Sequence, residues 1–431
     1  MPRKLFGTDG VRGVAGEFVT AELALALARA ATERLGVDAP RALIIRDTRE
    51  SGEMLEAAVA AGVAAAGGHA LLGGVLPTPG AALLTRRYGF DLAAVVSASH
   101  NPFGDNGIKF FGGDGYKLSD ATEAELEAML DVVPDPVRPG RIRRFHAALD
   151  GYEAALEARF GTLDLTGRRV ALDCANGATY EVAPALFRRL GAEVEVLAAE
   201  PDGRNINDGC GSTHIDVLAE LVRDGGHDAG FAFDGDGDRV LAVDRHGVVV
   251  DGDELIALAA VHLGVEGVAV TVMTNYGFHT GMRAAGVEVA TTPVGDRYVL
   301  EELRKRGWKL GGEQSGHIIE CDFVPSGDGI AAALLTLESL EGGDLADRHA
   351  MEKLPQKLVN VRVRDRDAVG SSKPLQEAVE RESAALDGRG RVLLRPSGTE
   401  PLVRVMVEAP TASEADEVCG RLVELVESEL A

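Results

Sequence analysis

The alternation of short apolar runs with Ala- and Leu-rich helical patterns is the feature of this sequence that most restricts its fold. Residues 42–45 and 69–72 have the pattern of buried strands, and residues 53–66 between them have that of a helix. A strand that returns to its sheet through a helix runs parallel to the first strand, so this order predicts a βαβ layer. The pattern recurs after residue 169 and again after residue 250. The sequence therefore predicts three similar α/β domains.

Chain length and a change of pattern near residue 355 give the number of domains. At about 150 residues per domain, a chain of 431 residues is expected to form three or four. After Pro355, apolar and polar residues alternate as in a half-exposed antiparallel strand. The expected domains are residues 1–145, 146–249 and 250–354, followed by a smaller α+β domain at 355–431. Pro- and Arg-rich residues 134–143 read as a linker.

The apolar run Leu92–Val96 ends abruptly in small and polar residues, SASHNP at positions 97–102. A hydroxyl on a tight turn after a buried strand is rigid and accessible, as a serine nucleophile must be. Ser97 and Ser99 are the candidates. The alternative is that these serines only satisfy backbone groups at the strand end, and this stretch alone does not decide between the two interpretations.

Three carboxylates separated by single glycines, Asp234, Asp236 and Asp238, follow another apolar strand. The glycines allow the backbone to curl until the carboxylates converge, and three close carboxylates require a cation between them. An EF-hand is excluded because its sixth and twelfth positions are Arg239 and Arg245 instead of Gly and Glu. All-oxygen ligands suit Mg²⁺, Mn²⁺ or Ca²⁺. The remaining alternative is a solvated acidic turn.

Near the C-terminus, the turn RPSGTEP at 395–401 combines cations, hydroxyls and a glycine. These groups suit the binding of a phosphate, and the candidates are Arg395, Ser397, Gly398, Thr399 and Arg404. The net charge of −24 makes a cationic turn unusual in this chain. The alternative is a turn with solvated arginines.

A second polar turn carries Glu313, Ser315 and His317 after two glycines. A carboxylate and a hydroxyl at such a turn suit hydrogen bonds to sugar hydroxyls, whereas a lone histidine is more often structural. Three further cations are candidate anion contacts: Arg12, Lys109 and Arg297.

Charge and cysteine usage restrict the partners and the compartment. A net charge of −24 repels nucleic acid and anionic membranes, so neither is an expected partner. The four cysteines have no CxxC spacing and suit a reducing compartment. No apolar run reaches membrane-spanning length, and the first residues lack a signal-peptide core. The protein is expected to be cytoplasmic.

The motifs taken together resemble the α-D-phosphohexomutase family. SASHNP at 97–102, DGDGDR at 234–239, GEQSG at 312–316 and RPSGT at 395–399 occur in this order, one in each expected domain. FGTDGVRG at 6–13, CANGATY at 174–180 and VGDRYV at 294–299 also resemble the bacterial members that act on glucosamine phosphates. The resemblance implies three α/β domains with mixed sheets and a C-terminal α+β domain around a central cleft.

The resemblance also implies a role for each candidate. Ser99 would carry the transferable phosphoryl group, and its phosphorylated form would be the active one. One Mg²⁺ per chain would be held by the three aspartates together with an oxygen on Ser99. Lys109, Arg12 and His317 would assist phosphoryl transfer as electrostatic or acid–base groups. The expected substrate-binding residues are Glu313, Ser315, Arg239, Arg395, Ser397, Gly398, Thr399 and Arg404.

The implied activity is the interconversion of glucosamine 6-phosphate and glucosamine 1-phosphate through a bisphosphorylated sugar, for amino-sugar nucleotide synthesis. The protein would work as a monomer or homodimer with a phosphosugar as its small-molecule partner. A phosphoglucomutase or phosphomannomutase is the alternative within the family. A metal-dependent phosphomonoesterase would share the serine and the aspartates without needing the distal cationic turn. A sensor that binds sugar phosphates without turnover is the non-enzymatic alternative.

Overall fold

The computed structural model describes residues 5–7, 9–130, 132, 137–396 and 401–430. They form two compact units, one made of residues 1–273 and 287–348 and the other of residues 274–286 and 349–431. Within these described ranges, no helix has both the length and the apolarity needed to cross a membrane.

A six-stranded mixed sheet opens the first unit, in the order β1-β5-β4-β2-β3-β6. Its strands are β1 (Val11–Val14), β2 (Arg41–Arg46), β3 (His69–Val75), β4 (Leu92–Val96), β5 (Asp105–Gly112) and β6 (Ile142–Arg144). The helices are α1 (Ala21–Arg34), α2 (Gly52–Ala65), α3 (Thr78–Tyr88), α4 (Asp120–Met129) and α5 (Ala148–Phe160). The central strands are parallel, and β5 returns antiparallel between β1 and β4.

The packing of this sheet follows the predicted pattern. Ile44, Val96 and Ile108 on the strands pack with Leu27 of α1 and Leu55 of α2 in one fully buried cluster. At the other edge, β6 pairs with β3 inside the stretch predicted as a linker. All three residues of β6 are exposed, so the strand has no buried face and gives no alternation of apolar and polar residues. Positions 134–136 of that predicted linker lie outside the described residues.

The second sheet of the first unit has five strands in the order β11-β10-β9-β7-β8. They are β7 (Arg169–Asp173), β8 (Glu193–Leu197), β9 (Ala229–Phe233), β10 (Val240–Asp244) and β11 (Val249–Val250), with helices α6 (Val182–Arg189) and α7 (Asp216–Gly225). Strand β9 is buried along its length and runs parallel to β7 but antiparallel to β10.

A third sheet has the order β13-β12-β14-β15. Its strands are β12 (Gly267–Thr271), β13 (Glu288–Thr292), β14 (Leu310–Gly312) and β15 (Ile318–Glu320). The helices of this part of the sequence are α8 (Gly252–Leu263), α9 (Tyr276–Ala284), α10 (Asp296–Arg306) and α11 (Gly329–Ser339), followed by a 3₁₀ turn at Leu345–Asp347. Helix α9 belongs to the second unit. The three mixed sheets confirm the predicted α/β class.

The second unit contains an antiparallel sheet in the order β16-β18-β17. It is built from β16 (Gln356–Arg362), β17 (Arg391–Pro396) and β18 (Leu402–Glu408), with a 3₁₀ turn at Asp367–Gly370 and helices α12 (Lys373–Leu386) and α13 (Ala412–Leu430). Val361 and Val405 pack against Leu375 of α12 and Leu422 of α13. This arrangement confirms the predicted α+β domain.

A buried tyrosine–carboxylate bond joins α5 to α11 in the first unit. The Tyr152 hydroxyl donates to Oδ2 of Asp328 at 2.8 Å, and Oδ1 of Asp328 caps α11 by accepting from Ala331 N–H at 3.0 Å. Burial raises the pKa of Asp328 to about 6. Because the native pKa lies above the unfolded value of about 3.9, the contribution of Asp328 to stability falls as pH rises from about 4 through 6.

We expect Tyr152→Phe to destabilise the protein more at pH 8 than at pH 5. The lost bond contributes about 1 kcal/mol to a neutral carboxyl and about 2–3 kcal/mol to a buried carboxylate. Urea-induced unfolding at both pH values measures the difference. Tyr180→Phe is the matched control, since the Tyr180 hydroxyl donates to the exposed Glu181. An equal loss of stability at the two pH values would contradict the expectation.

Candidate active site

The two candidate serines, Ser97 and Ser99, have different contacts. Ser97 Oγ accepts from the Ser99 peptide N–H at 2.9 Å and donates to Asp47 at 2.5 Å, as a turn serine does. Ser99 is fully buried, has a left-handed φ of +54°, and donates from Oγ to Asp234 Oδ2 at 2.5 Å. A positive φ in a non-glycine residue costs of order 1–3 kcal/mol and is kept only when the surroundings impose it. The loop therefore fixes Ser99 with its hydroxyl against the acidic loop.

The three aspartates after β9 converge as the sequence predicted. Their side chains are buried, and one carboxylate oxygen from each lies within 4.8 Å of the others. Gly235 is needed for the close approach, because a Cβ there would lie 2.6 Å from the Ser99 carbonyl oxygen. Oδ1 of Asp236 and Oδ1 of Asp238 are buried without a hydrogen-bond partner among the described residues. Buried acceptors of this kind fit a hard divalent cation.

The carboxylates of the acidic loop, residues 234–239, repel one another. Burial, together with the carboxylates of Asp238 and Asp236, raises the pKa of Asp234 well above its usual value. Burial raises the pKa of Asp236, but the Lys109 ammonium lowers it by a larger amount, so the pKa lies below its usual value. Lys109 and Arg239 are cations beside these three carboxylates. A divalent ion would neutralise the remaining repulsion between the carboxylates themselves.

Lys109 lies at the centre of the site. Its Nζ is 2.7 Å from Asp236 Oδ2 and 2.9 Å from Asp9 Oδ2, and the side chain is buried. Strand β5 brings it there by returning antiparallel beside β4. Burial lowers the pKa of Lys109, but Asp236 and Asp9 outweigh this and raise it above its usual value. Lys109 therefore stays a cation beside the acidic loop.

Asp9 forms ion pairs with three cationic side chains. Lys109, Lys117 and Arg12 all pair with its carboxylate. Against the effect of burial, these charges hold the pKa of Asp9 well below its usual range. Lys117 also binds Asp296, at the start of α10. The predicted anion contact Arg12 is therefore held by an acidic residue three positions earlier in its own Gly-rich loop.

Both ring nitrogens of His317 have partners. The Gly327 peptide N–H donates to Nε2 at 3.0 Å, and Nδ1 lies 3.5 Å from Asp238 Oδ2. Burial lowers the pKa of His317, but Asp238 and Asp296 raise it above the usual value. Nε2 also lies 3.7 Å from Asp296 Oδ2, so a carboxylate faces each ring nitrogen, and Nδ1 is the nitrogen that faces Asp238. In this arrangement His317 orients a carboxylate of the metal loop.

The polar turn at 313–317 lies next to the metal loop. Val240, which follows Arg239, donates from its peptide N–H to the Gly316 carbonyl at 3.1 Å. Glu313 is largely buried and accepts from Gly295 N–H at 3.0 Å, whereas Ser315 is exposed. The Arg239 peptide N–H donates to Asp234 at 3.1 Å. The polar turn and Arg239 therefore lie next to the three aspartates.

The remaining predicted contacts are Arg297 in the first unit and the cationic turn of the second unit. Arg297 is buried and pairs with Asp120 and Glu123 of α4, so its charge is used between α4 and α10. In the second unit, Arg395 and Arg404 are cross-strand partners on β17 and β18. Burial and the neighbouring Arg404 lower the pKa of Arg395. Two adjacent guanidiniums favour an anion between them. The predicted contacts Ser397, Gly398 and Thr399 lie outside the described residues.

Sequence reasoning missed several residues of this site. Thr78, at the start of α3, donates to Asp236 Oδ2 at 2.7 Å. Asp9 had a signal, because it stands beside Arg12 in a Gly-rich loop. No sequence signal indicated that Lys117 and Asp296 are in contact, because this contact depends on how separate sheets pack. Three more missed residues surround the backbone of the Ser99 loop: Asp47, Arg49 and Asn207.

Comparison with known proteins places the whole chain in one group. Models of the phosphoglucomutase/phosphomannomutase family match residues 3–133 as α/β/α domain I, 150–247 as domain II, 251–358 as domain III and 358–425 as the C-terminal domain. Phosphoglucosamine mutase from Deinococcus deserti is 49% identical, over 99% of this chain and 98% of the relative. Phosphoglucosamine mutase from Pelotomaculum thermopropionicum is 50% identical, over 98% of each chain.

Solved structures share the fold at low identity. A phosphoglucomutase/phosphomannomutase family protein from Burkholderia thailandensis superposes with a TM-score of 0.83 at 23% identity, over 99% of this chain and 98% of that one. N-acetylphosphoglucosamine mutase from Aspergillus fumigatus, in complex with GlcNAc-6P and magnesium, gives a TM-score of 0.70 at 18% identity, over 99% and 96%. At these identities the likeness is one of fold.

Proposed function

This chain belongs to the phosphoglucomutase/phosphomannomutase family, and from that premise we propose that it interconverts glucosamine 6-phosphate and glucosamine 1-phosphate. The observation that carries the chemistry is the contact of the buried Ser99 hydroxyl with the three-aspartate loop. This contact supports the assignment of Ser99 Oγ as the phosphoryl acceptor and of the aspartates as the cation site beside it. The choice of an amino sugar is supported by relatives at 49% and 50% identity over nearly the whole chain, which are phosphoglucosamine mutases.

Phosphorylated Ser99 is the proposed active form. It gives its phosphoryl group to the free hydroxyl of the sugar phosphate, so that the serine O–P bond breaks, an O–P bond to the sugar forms, and the hydroxyl proton passes to a base. The product is a bisphosphorylated sugar. The intermediate turns over so that its other phosphoryl group faces Ser99. The O–P bond of that group to the sugar breaks, an O–P bond to the Ser99 oxygen forms, and the base returns its proton to the sugar oxygen, which restores the phosphoserine and releases the isomer.

The aspartates and their neighbours supply the electrostatics. Asp234, Asp236 and Asp238 would hold Mg²⁺ together with an oxygen on Ser99, and the ion would withdraw negative charge from the transferring phosphoryl group. Lys109 places a second cation at the same point, and Arg12 is held nearby through Asp9. His317 orients Asp238 through Nδ1.

Substrate recognition is assigned to two groups of residues. Glu313 and Ser315 read the sugar hydroxyls, and Arg239 provides a cation beside them. Arg395 and Arg404, with Ser397, Gly398 and Thr399, hold the phosphate that is not being transferred. Because the intermediate must react at both ends, this second group has to accept either end of the sugar, and water must be excluded while it does so.

A substrate comparison tests the proposed function. The Mg²⁺-loaded, phosphorylated protein is given the 1-phosphates of glucosamine, glucose and mannose separately, and kcat/KM is compared. We expect glucosamine 1-phosphate to be preferred by at least about tenfold, which corresponds to about 1.4 kcal/mol in transition-state binding.

Other outcomes would lead elsewhere. A preference for glucose or mannose would keep the serine and the metal site but replace the substrate. Stoichiometric release of inorganic phosphate, with no isomer formed, would indicate a phosphomonoesterase. Ligand binding without turnover by the fully phosphorylated protein would indicate a sensor.

A further inference from the structure

Arg49 follows strand β2 and is fully buried, which is unusual for an arginine. Its Nε donates to Asp47 Oδ2 at 2.8 Å, so the charge has one carboxylate partner. Its two terminal nitrogens donate to four backbone carbonyls of the loop that carries the phosphoryl-accepting serine: those of Ser99 at 2.9 Å, Asn101 at 2.8 Å, Asp105 at 2.9 Å and Pro102. One planar guanidinium therefore binds four backbone carbonyls of this loop.

Asn207 binds the same loop from the second sheet's part of the chain. It lies between β8 and α7, and its Nδ2 donates to the Ser99 carbonyl at 2.9 Å and to the Asn101 carbonyl at 3.2 Å. Its own backbone has a left-handed φ of +57° and is fixed by a bond from Asn207 N–H to the Ala175 carbonyl at 2.9 Å. Two donors from different parts of the sequence thus converge on one carbonyl, that of Ser99.

This convergence explains how the strained loop is kept in place. Four carbonyl oxygens that point toward one buried volume repel each other and would be undersatisfied without donors. A guanidinium offers five N–H groups in a fixed plane, whereas an ammonium is a point charge with three. Arg49 therefore sets the conformation of the loop. Asn207 lies in the turn between β8 and α7, and its Nδ2 contacts both the serine loop and Gly235 of the aspartate loop.

We propose that Arg49 and Asn207 are positioning residues for phosphoryl transfer, which hold the backbone of residues 99–105 so that Ser99 Oγ is aimed at the aspartate loop. The inference rests on the proposed function in one respect, namely that Ser99 is the residue that carries the phosphoryl group. Among the described residues, neither side chain forms a hydrogen bond or an ion pair with the three aspartates, and their donors are engaged by backbone carbonyls and by Asp47. Their effect must therefore appear in the rate of transfer and not in the binding of substrate.

The test uses Arg49→Lys, Asn207→Ala and the double variant in the full-length, phosphorylated, Mg²⁺-loaded protein. We expect each single variant to lower kcat by about 10–100-fold, because a displacement of about 1 Å at the reacting atoms has an effect of this size, while KM stays within threefold. Since both residues bind the Ser99 carbonyl, the double variant should lose less than the product of the two single losses. Amide hydrogen exchange should accelerate in the peptide that contains residues 97–105.

Arg348→Lys is the matched control. Arg348 is also largely buried and donates to Glu254 at 2.7 Å and Asp244 at 2.9 Å, but it contacts no residue of the candidate site. It should change the melting temperature without changing kcat of the folded protein or exchange at residues 97–105.

Three results would overturn the inference: an unchanged kcat in both single variants, a loss in Arg348→Lys as large as theirs, or faster exchange at the loop with full activity. These results are separate from a failure of the proposed function, in which the wild-type protein itself would not isomerise any of the three sugar phosphates. Should Arg49→Lys fail to fold, Asn207→Ala alone decides, since it removes only the two side-chain bonds to the loop.

Discussion

Replacing Ser99 with alanine is expected to lower kcat by at least about 10⁴-fold, the scale seen when a nucleophile is removed, and to change the affinity for the sugar phosphate less than threefold. The reason is that, in the proposed mechanism, Ser99 Oγ gives and receives the phosphoryl group, whereas the substitution leaves the residues assigned to the sugar and to the distal phosphate unchanged. Turnover of glucosamine 1-phosphate and equilibrium binding of the same compound measure the two effects.

Ser97→Ala is the control that separates the two serines. It removes the bonds to Asp47 and to the Ser99 N–H but leaves the Ser99 hydroxyl in place. We expect kcat to fall by only about tenfold, which corresponds to about 1.4 kcal/mol in transition-state stabilisation. Mass analysis of the wild-type protein should find the phosphoryl group on the peptide that contains Ser99, and it should be absent from Ser99→Ala. Retention of more than about one hundredth of the activity by Ser99→Ala would remove Ser99 from the proposed mechanism.

Local pattern was sufficient to find the acidic loop and the serine loop. Both follow strands whose residues are buried throughout, Leu92–Val96 and Ala229–Phe233, so a continuous apolar run ended where the chemistry began. Gly235 and Gly237 separate the aspartates, and the close approach of Gly235 to Ser99 is what a side chain would prevent. These features are local, and a single sequence contains them.

Residues whose partners are distant in the chain could not be placed in this way. Lys109 reaches Asp236 because β5 turns back between β1 and β4, and Lys117 reaches Asp296 because two sheets pack together. Arg49 is the clearest case. A charged residue after a strand is usually solvated, but here the Asp47 carboxylate and four backbone carbonyls account for the burial of Arg49.

The role predicted for His317 illustrates a further limit. Its position beside the site followed from the motif, but the motif did not show that the Gly327 peptide N–H donates to Nε2. The loop that contributes this donor lies ten residues further along the chain. Which nitrogen of a histidine is free depends on such partners, and residue type alone does not specify them. The electrostatic or acid–base role of His317 stays a prediction.

Asp234→Asn should change the stability of the protein in opposite directions with and without metal. In the presence of a chelator at pH 8, the wild-type protein holds three buried carboxylates whose mutual repulsion and desolvation raise the pKa of Asp234. Asparagine removes one of these charges and can still accept a hydrogen bond from Ser99. We therefore expect the metal-free variant to melt above the metal-free wild type.

With Mn²⁺ as the probe the order should reverse. At 100 times its dissociation constant, an ion that binds only the native state stabilises it by about 2.7 kcal/mol, and the variant should lose most of this gain because one of three anionic ligands is neutral. The loss of charge withdrawal from the phosphoryl group should also lower kcat by about 10³-fold, which corresponds to about 4 kcal/mol. Thermal unfolding with chelator and with Mn²⁺ gives the first result, and turnover gives the second.

Asp328→Asn distinguishes a general effect of removing a buried carboxylate from an effect on the metal site. Asp328 is buried and has a pKa raised to about 6, but it binds Tyr152 and caps α11, and it is not one of the three clustered aspartates. Its variant should respond to Mn²⁺ as the wild type does. If Asp234→Asn retained the wild-type shift with Mn²⁺, the three aspartates would not form the cation site, and the phosphoryl group on Ser99 would have to be stabilised by Lys109 and its neighbours alone.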